Sequence, residues 1–386
     1  MKNKVAIIGV GNTIYTSLRR ETRSKAELAF DAISRALEMV NITIEDIDAA
    51  VFTSVDGFEG NVRPCRTLEA FGQAHNIPLI DVNTGGTAGS SGIKEAVHLI
   101  SAGIHELVLV YGSPTFGEVV DNQQVLNTAA PPIFEKPFGV GAAHMGALYP
   151  ARYMREHNFT AEDFALVAAK NHKDGANNPF GHLKKGFTVE EILASPMVAW
   201  PLHLYEMCPV SSGSVAVIFA SEGKAKELSD TPVWIKAISS IADTFLTGYK
   251  SYKELAQLKI VAQRVYEMAG IKNPREEIQV AELFNAYAPL EMMQCEALGF
   301  CGTGEGVKIL RDGVTSMGGD LPINPSGSVL TTNSGISASV SRHAEVALQI
   351  MGKAEGRQVE PTPEVGLAHS LGGNMMQFET VAILSR

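Results

Sequence analysis

The sequence predicts an α/β fold built from two similar halves. Short runs rich in β-branched residues alternate with stretches that carry the period of a helix, and this alternation is typical of α/β architecture. The same succession occurs twice along the chain: a strand, a helix, a second strand, and later a Gly/Ser-rich turn that leads into a long helix. We therefore expect an internal duplication of one βαβ-type unit.

The individual elements follow from local composition and period. Strands are predicted where β-branched and apolar residues cluster between turn residues. In chain order these strands are Lys4–Gly9, Ala49–Thr53, Pro78–Val82, Glu106–Tyr111, Ser214–Ala220, Val233–Ile238, Val280–Phe284, Ser328–Thr332, Gly366–His369 and Thr380–Leu384. Helices are predicted between them from the apolar period, for example Lys25–Val40, Gly89–Ala102, Tyr252–Ala269 and Ala338–Met351.

Residues 115–205 interrupt the alternation and read as an insertion of loops and helices. The segment holds Pro131-Pro132, Lys136–Gly139 and Asn177-Asn178-Pro179. Long insertions in an α/β domain commonly cover a ligand. A structural excursion or an oligomer contact explains the segment equally well, so both interpretations stay open. We assign residues 1–225, with this insertion, to the first half and 226–386 to the second.

Composition excludes several classes of protein. The 386 residues are 45% hydrophobic and 19% charged, with a formal net charge of −10. No cluster of Lys and Arg stands out, so nucleic acid and anionic membrane are not expected as partners. No stretch approaches the roughly 20 apolar residues of a membrane span, and the apolar run Val5–Val10 is shorter than a signal peptide requires. We expect a cytoplasmic globular protein.

Two familiar site types are also disfavoured. The cysteines lie far apart and form no CxxC pair, so neither a disulfide framework nor a metal site is expected; they are Cys65, Cys208, Cys295 and Cys301. Gly9-Val10-Gly11 lacks the third glycine of a dinucleotide fingerprint. A tight strand-to-loop turn is the favoured interpretation of these glycines.

The glycine-rich turn at residues 83–92 is the most informative local feature. A strand that enters a helix through small residues leaves backbone N–H groups at the helix N-terminus, where they suit an anion or an oxyanion. Enzymes also place nucleophiles there, because the helix dipole favours a developing negative charge. Close packing of a buried helix explains the turn equally well by itself. The hydroxyls available in it are Thr84, Thr87, Ser90 and Ser91.

Several separate segments, in order along the whole chain, resemble the thiolase superfamily, most closely the sterol-carrier-protein-type thiolases. Asn83–Ala96 is similar to the nucleophile turn, and His144-Met145-Gly146 is similar to the covering-loop signature. The other similar segments are Asn171-His172, Asn177-Asn178-Pro179, Pro201-Leu202, Cys208–Val217, Leu298–Gly306, Leu321–Gly327 and His369–Gly373. The resemblance implies a thiolase fold: duplicated βαβ-type halves in a five-layer αβαβα arrangement with an inserted loop region.

The catalytic positions depart from the family pattern. The resemblance places the nucleophilic cysteine on Gly86 and the two catalytic histidines on Phe284 and Ser334. The acid/base cysteine falls on Ser370. Thiolysis through an acyl-enzyme needs a thiolate to hold the acyl group, and glycine cannot supply one.

The resemblance leaves a reduced set of site residues. Two backbone N–H groups, at Gly86 and Gly372, would bind the thioester oxygen, and such donors are worth about 10²–10³ in rate. Side chains on the same loops could polarise a carbonyl or carry a proton; they are Asn285, Tyr287, Asn333, Ser334 and His369. A structural role is equally open for His369, and Tyr287 could simply fill the core. Contacts to coenzyme A are expected from His144, Met145, Ser326 and Gly327.

Three functions are compatible with this pattern. The first is cleavage or formation of a C–C bond in a 3-oxoacyl-CoA without a cysteine, in a ternary complex with coenzyme A, as in thiolase subunits for 2-benzoylsuccinyl-CoA in anaerobic aromatic degradation. The second is a retro-aldolase on a 3-hydroxyacyl-CoA, as in steroid side-chain degradation, although those enzymes carry tyrosines where this chain has Phe284 and Ser334. The third is a non-catalytic scaffold subunit.

The resemblance also implies partners. Coenzyme A enters as a substrate together with acyl-CoA, and no metal is expected in this chain. A homodimer that binds a small zinc-ribbon/OB-fold subunit is the expected assembly. The sequence does not identify the acyl group.

Overall fold

The computed structural model describes residues 4–54, 76–113, 126–127, 129–139, 141–244, 246–335 and 337–386. The strands are β1 (Val5–Asn12), β2 (Ala49–Thr53), β3 (Leu79–Val82), β4 (Leu107–Gly112), β5 (Met197–Ala199), β6 (Leu202–His203), β7 (Val215–Ser221), β8 (Val233–Ala242), β9 (Val280–Glu282), β10 (Val365–Gly372) and β11 (Phe378–Ser385).

The α-helices are α1 (Lys25–Met39), α2 (Ala88–Ser101), α3 (Ala142–Gly146), α4 (Leu148–His157), α5 (Ala161–Gly175), α6 (Val189–Leu193), α7 (Glu222–Leu228), α8 (Ala256–Ala269), α9 (Pro274–Glu277), α10 (Ala288–Ala297), α11 (Gly306–Arg311), α12 (Ser328–Thr331) and α13 (Ser337–Met351). Single 3₁₀ turns occur at Leu18–Arg20, Ile44–Asp46, Lys136–Phe138, Leu204–Glu206 and Thr247–Tyr249.

Capping explains where several helices begin. At the start of α1, Ser24 Oγ accepts from the Glu27 N–H at 3.2 Å, and the Glu27 carboxylate accepts from the Ser24 N–H at 2.7 Å. This reciprocal pair satisfies two N–H groups that the helix leaves without partners. The same capping box starts α5 and α6, at Thr160/Asp163 and Thr188/Glu191.

One mixed sheet of nine strands organises the described chain. Its order is β3-β2-β4-β7-β1-β8-β11-β10-β9, and β5 and β6 form a separate hairpin. The β2–β3, β2–β4 and β9–β10 pairs are parallel, and the others are antiparallel. The two halves join edge to edge where β1 pairs with β8 at Ala6 and Ile7.

Strand order and direction repeat between the halves. Moving outwards from the joint, the first half runs β1, β7, β4, β2, and the second runs β8, β11, β10, β9. In both series the first two pairs are antiparallel and the third is parallel. This repetition matches the duplication predicted from the sequence. The boundary near residue 225 stays a prediction.

Alternating side chains divide the interior into layers. In β4, Val108 and Val110 face one core cluster, whereas Leu107, Leu109 and Tyr111 face another. α1 covers the outer face of the first half, α8 covers the outer face of the second, and α2 and α13 pack against each other between them. The predicted αβαβα arrangement is therefore confirmed, with its two β layers continuous through the β1–β8 pair.

One predicted strand is wrong. Residues 328–332 were expected to be extended because Val329, Thr331 and Thr332 are β-branched, but Ser328–Thr331 forms one helical turn. Gly327 precedes it with a φ of 79°, and the Thr332 N–H closes the turn by donating to the Ser328 carbonyl at 3.1 Å. Because this hydrogen bond within the turn satisfies the backbone, the segment needs no neighbouring strand. The β propensity of the individual residues is therefore overridden by the context in which they lie. The other predicted strands are present.

Gly9 and Gly11 have a packing role rather than a turn role. Both lie inside β1. A Cβ on Gly9 would come within 2.6 Å of the Ala36 carbonyl oxygen, and one on Gly11 within 1.9 Å of the Ala32 carbonyl oxygen. The glycines therefore let α1 lie directly on the strand, which corrects the expected strand-to-loop turn.

Among the described residues, no helix is long and apolar enough to cross a membrane. Cys208, Cys295 and Cys301 are unpaired thiols, and Cys65 lies outside the described residues. Within the same ranges no group of three or more His, Cys, Asp or Glu side chains could hold a metal ion.

Replacing Gly89 tests the contact between the two central helices. A Cβ at Gly89 would lie 2.6 Å from the Val340 backbone nitrogen. Because backbone cannot yield as a side chain can, we expect Gly89→Ala to lower the free energy of unfolding by about 1–3 kcal/mol. Urea denaturation measures this value.

Gly223→Ala is the matched control, because Gly223 lies in helix α7 with nothing within 4 Å of a new Cβ. It should stabilise by about 0.5–1 kcal/mol. Equal midpoints for Gly89→Ala and the wild type would contradict the close helix contact.

Candidate active site

The turn before α2 and the end of β10 meet backbone to backbone. A Cβ on Gly86 would lie 2.7 Å from the Leu371 carbonyl oxygen and 3.0 Å from the Gly372 Cα. A Cβ on Gly372 would lie 2.6 Å from the Gly86 nitrogen. Neither position has room for a side chain, so the position predicted for a family cysteine is closed by the other loop. We call this contact the glycine junction.

Glycine is also required beside the junction. Gly85 has a φ of 61° and Gly373 a φ of 72°, which is the left-handed region that side chains rarely adopt. Each loop therefore bends through one glycine and touches the other loop through the next. The two glycine pairs act together to bring the α2 N-terminus against β10.

A buried hydroxyl pair lies on the same two elements as the junction. Ser90 Oγ, in the first turn of α2, donates to Ser370 Oγ at 2.7 Å, and both residues are fully buried. Ser370 is the position matched to the family's acid/base cysteine. The Ser370 hydroxyl is hydrogen-bonded to Ser90 of α2, so it joins β10 to that helix.

A mainly apolar cleft borders the junction. It has a cavity volume of about 140 Å³ and is open to solvent, and Leu371 and Gly373 line it on either side of Gly372. The other lining residues are Leu126, Asn127, Ala129, Ala130, Ala142, Met145, Gly146, Ala286, Tyr287, Leu290, Asn374, Met375 and Met376. The insertion forms part of this wall through Leu126, Asn127, Ala129, Ala130, Ala142, Met145 and Gly146. Its role as a cover for a ligand stays a prediction.

Tyr287 joins the covering segment to the cleft wall. Its hydroxyl donates to the Ala142 carbonyl at 2.8 Å, and its ring lies against Gly146, where a Cβ would come within 2.1 Å. Burial raises the pKa of Tyr287 well above its usual value, so the phenol stays neutral and can only donate or accept hydrogen bonds. Met145 lines the cleft, whereas His144 is exposed and is not among the lining residues.

Asn333 is held by groups from the opposite half. Its amide nitrogen donates to Cys208 Sγ at 3.2 Å, and its backbone N–H donates to Ser211 Oγ at 3.1 Å. Burial raises the pKa of the Cys208 thiol to about 11, so this sulfur is protonated at neutral pH. Cys208 therefore does not replace the missing nucleophile, in line with its structural interpretation.

Ser334 belongs to a buried hydroxyl cluster. Ser337 Oγ donates to Ser334 Oγ at 2.7 Å, and Tyr15 lies on the same cluster with its hydroxyl 3.3 Å from Ser341 Oγ. Burial raises the pKa of Tyr15, and hydrogen bonds from Ser341 and Ser334 oppose that shift. Sequence analysis missed Tyr15, because it follows β1 in a loop that carries no motif.

His369 has both ring nitrogens engaged. Nε2 lies 2.7 Å from Glu379 Oε2, and Nδ1 accepts the Phe284 backbone N–H at 3.3 Å. Since Nδ1 is an acceptor, Nε2 carries the proton and donates it to the carboxylate. Burial raises the pKa of Glu379, and the bond from His369 opposes that shift. The His369 side chain therefore joins β10 to β11 and to the loop that contains Phe284.

Asn285 lies in a second buried network that has Glu291 at its centre. Asn285 Nδ2 donates to Glu291 Oε2 at 2.9 Å, and the Lys170 ammonium lies 2.8 Å from Glu291 Oε1. Asn171 and Asn324 donate to the same Oε2, each at 2.7 Å. Within the described chain the Asn285 side-chain oxygen is buried without a hydrogen-bond partner.

Ser326 and Gly327 lie away from the cleft. Ser326 Oγ donates to Glu282 at 2.9 Å inside a buried Glu282–Arg342 ion pair. A Cβ on Gly327 would come within 2.4 Å of the Gly175 Cα, so this glycine packs on α5. Both residues are buried. Their predicted contact with coenzyme A stays a prediction, while the structure gives them these internal contacts.

The sequence-predicted residues thus fall into separate groups. Gly86 and Gly372 form the junction, and Tyr287 and Met145 line the cleft beside it. Asn285, Asn333, Ser334 and His369 each sit in a surrounding network. Glu291, Glu379 and Tyr15 were missed, because a carboxylate within a helix or strand and a loop tyrosine have no local pattern that marks them.

Comparison with known proteins identifies the class. Residues 5–223 match the family description "Thiolase, N-terminal domain", and residues 246–386 match "Thiolase C-terminal domain-like". The chain belongs to the thiolase family, which confirms the resemblance drawn from the motifs. It is a thiolase-family acyltransferase, and thiolases use coenzyme A substrates.

Individual relatives align over nearly the whole chain. The acetyl-CoA acetyltransferase of Methanothermobacter thermautotrophicus is 29% identical over 373 residues, 96% of each chain. The benzoylsuccinyl-CoA thiolase subunit BbsB of Thauera aromatica is 29% identical over 384 residues, 97% of this chain and 96% of its own. A solved Ltp2-ChsH2(DUF35) aldolase superposes with a TM-score of 0.85 at 25% identity, covering 99% of this chain and 98% of that one.

Restoring the cysteine tests the glycine junction. Because any Cβ at Gly86 meets backbone at 2.7 Å, we expect Gly86→Cys to lower the free energy of unfolding by about 1–3 kcal/mol. Thermal denaturation of the purified variant measures the loss. Gly318→Ala is the control, since nothing lies within 4 Å of its Cβ position. A Gly86→Cys variant as stable as the wild type would show that the loops separate readily.

Asp174 makes the stability of the folded chain depend on pH. It lies in α5 with Oδ2 buried and without a hydrogen-bond partner in the described residues, and burial raises its pKa from 3.8 to about 6. As the pH rises through this window the unfolded chain releases the proton first, so the free energy of unfolding falls and the contribution is lost above about pH 6.

Asp174→Asn should remove this loss. We expect the variant to be more stable than the wild type at about pH 8 and similar to it near pH 4, because only the ionised carboxylate is penalised. Urea denaturation across that range gives the comparison. Asp230→Asn, at an exposed position, should leave the profile unchanged. A wild type whose stability rises from pH 4 to pH 7 in step with the Asp174→Asn variant would contradict the assignment.

Proposed function

We propose that this chain cleaves or forms the C2–C3 bond of a 3-oxoacyl-CoA by direct transfer of the acyl group to coenzyme A, without an acyl-enzyme. The observation that carries the proposal is the glycine junction at the border of the cleft. It closes the position of the nucleophile but leaves two backbone N–H groups, at Gly86 and Gly372, as candidate donors to a developing oxyanion.

The protonation of the thiols supports a route without covalent catalysis. The described cysteines have raised pKa values, about 11 for Cys208 and about 12 for Cys301, because burial disfavours the thiolate. Cys295 is shifted in the same direction. Since burial disfavours the thiolate at each described cysteine, we propose that the attacking sulfur is that of the substrate coenzyme A. Holding it beside the acyl donor would replace the covalent step by proximity.

The reaction balances as follows. The sulfur of coenzyme A adds to the C3 carbonyl carbon as its thiol proton leaves, and the N–H groups of Gly86 and Gly372 stabilise the negative charge on the carbonyl oxygen. The C2–C3 bond then breaks, which gives one new acyl-CoA and the enolate of a second acyl-CoA. The thiol proton ends on C2 of that enolate, so no oxidant or reductant is required.

Side chains around the junction would orient the two partners. Tyr287 lines the cleft and keeps a neutral phenol, and we propose that it exchanges its bond to the Ala142 carbonyl for one to a substrate carbonyl. Asn333 and Ser334 are the remaining candidates for handling protons. His144 and Met145 of the covering segment are proposed to contact coenzyme A.

The acyl group and the assembly are proposed from the relatives. The BbsB relative carries benzoylsuccinyl-CoA in its name, so 2-benzoylsuccinyl-CoA, cleaved to benzoyl-CoA and succinyl-CoA, is the first substrate to test. The aldolase relative is named as a pair with a DUF35 component. We propose that this chain likewise works with a small zinc-ribbon/OB-fold subunit and forms a homodimer.

A retro-aldolase reaction on a 3-hydroxyacyl-CoA is the second candidate. Its support is the TM-score of 0.85 with a structure named as an aldolase. The junction N–H groups would serve this reaction too, because negative charge again develops on the C3 oxygen before the C2–C3 bond breaks. The two reactions differ in whether free coenzyme A is consumed.

The test uses the chain co-purified with its partner subunit. With 2-benzoylsuccinyl-CoA we expect one free coenzyme A to be consumed for each benzoyl-CoA formed, and intact-protein mass spectrometry should show no acyl adduct. A stable acyl-enzyme would overturn the direct-transfer mechanism. Release of an aldehyde or ketone from a 3-hydroxyacyl-CoA without consumption of coenzyme A would establish the retro-aldolase instead.

The scaffold interpretation makes the opposite prediction. If the site has only decayed, neither substrate reacts, and Gly372→Ala impairs no reaction. If the junction is catalytic, Gly372→Ala should lower kcat by up to about 10²–10³. The alanine keeps its N–H, but its Cβ would meet the Gly86 nitrogen at 2.6 Å and move the donors out of place. Gly318→Ala provides the control for unspecific loss.

A further inference from the structure

The turn between β10 and β11 forms one wall of the cleft and has an unusual backbone. We call residues 373–377 the hairpin turn. Met375 and Met376 have φ values of 51° and 55°, and both line the cleft together with Asn374. Two successive residues other than glycine in the left-handed region cost free energy. Such a conformation persists only when its surroundings hold it.

Lys250 provides the first of these restraints. Its ammonium donates to the Met375 carbonyl at 2.7 Å and lies 3.4 Å from Asp243 Oδ2. Its side chain is only 2% exposed. A buried ammonium that reaches a main-chain carbonyl makes a charge-assisted hydrogen bond, which is stronger than a neutral one. Lys250 therefore joins the segment after β8 to the middle of the hairpin turn.

Two further contacts hold the turn on either side of Met375. Glu135 Oε2 accepts from Asn374 Nδ2 at 3.0 Å, and Glu135 Oε1 accepts from the Thr247 N–H at 2.7 Å. The Asp243 N–H donates to the Gln377 carbonyl at 2.7 Å. The insertion, the loop after β8 and the hairpin turn are thus tied together at one place.

The charges around Lys250 stabilise the position of the hairpin turn. Lys250 interacts electrostatically with Asp243, Glu379 and Glu135, and burial lowers its pKa against their opposing effect. Removing the cation would leave these acidic groups with less compensation in a partly desolvated site, which is costly. The position of the hairpin turn is therefore coupled to the presence of one ammonium group.

We propose that Lys250 is a positioning residue: by holding the Met375 carbonyl it fixes the hairpin turn as the wall that selects the acyl group. Lys250 is not among the residues that line the cleft, so it acts through Asn374, Met375 and Met376. Methionines accommodate varied apolar shapes, and a fixed backbone limits that adaptability. The selectivity part of this inference rests on the proposed function.

The test compares Lys250→Met with Lys250→Arg and a surface control, in the chain with its partner subunit. Lys253→Met is the control, because Lys253 lies three residues on, is mostly exposed, and pairs at 3.6 Å with Glu156. Each variant is assayed with acetoacetyl-CoA and with a bulky 3-oxoacyl-CoA such as 2-benzoylsuccinyl-CoA. Hydrogen–deuterium exchange is followed in the peptide that covers residues 371–379.

In Lys250→Met we expect the preference between the two substrates, measured as kcat/KM for the better one divided by kcat/KM for the poorer one, to fall roughly tenfold. This is the factor expected for one lost charge-assisted hydrogen bond. The rate of hydrogen–deuterium exchange in residues 371–379 should rise by a similar factor. Lys250→Arg should restore most of the ratio, since it retains a cation that can donate. Lys253→Met should match the wild type in both measurements.

An unchanged ratio together with unchanged exchange in Lys250→Met would overturn the proposal. So would equal losses on both substrates with normal exchange, which would indicate a general structural role. If Lys250→Met does not fold, Glu135→Gln weakens the same turn from the other side and should shift the ratio in the same direction. If the wild type turns over neither substrate, the proposed function fails, and exchange alone decides whether Lys250 holds the turn.

Discussion

The contact between the backbones of Gly86 and Gly372 is the constraint on which the site depends. It brings the N-terminus of a helix from the first half against a strand from the second, at a distance that only glycine allows. Everything around it supports that approach: Ser90 bonds to Ser370 on the same two elements, and the close α2–α13 contact at Gly89 brings the central layer together. A cysteine would require the loops to separate.

This constraint is what a specialised site, rather than a decayed one, would require. Random loss of a nucleophile would leave a space where the side chain had been, but here the opposing loop fills it. The histidine positions are likewise occupied by residues with partners of their own, since the Phe284 N–H is bonded to His369 and Ser334 belongs to a hydroxyl cluster. The chemistry we propose therefore relies on main-chain donors and on the position of two substrates, rather than on a reactive side chain.

The surroundings of the cleft consist of charged networks placed just behind apolar surfaces. The Glu291 network holds the Asn285 loop, the His369–Glu379 pair holds the ends of β10 and β11, and Lys250 holds the hairpin turn. Buried charge-assisted hydrogen bonds of this kind restrict the arrangements that a loop can adopt. They hold the segments that carry the cleft lining, which is mainly apolar.

The sequence by itself determined the α/β class, the duplication and the glycines of both loops, because period and turn chemistry are local properties. It also predicted most strands, and it failed at residues 328–332, where one hydrogen-bonded turn replaced the strand that β-branched residues favour. Only the tertiary structure decided that Gly86 and Gly372 approach too closely to admit a side chain, that Ser326 bonds to an ion pair, and that Glu291, Glu379 and Lys250 hold the site. Those contacts join residues far apart in the chain, and no local pattern encodes such a distance.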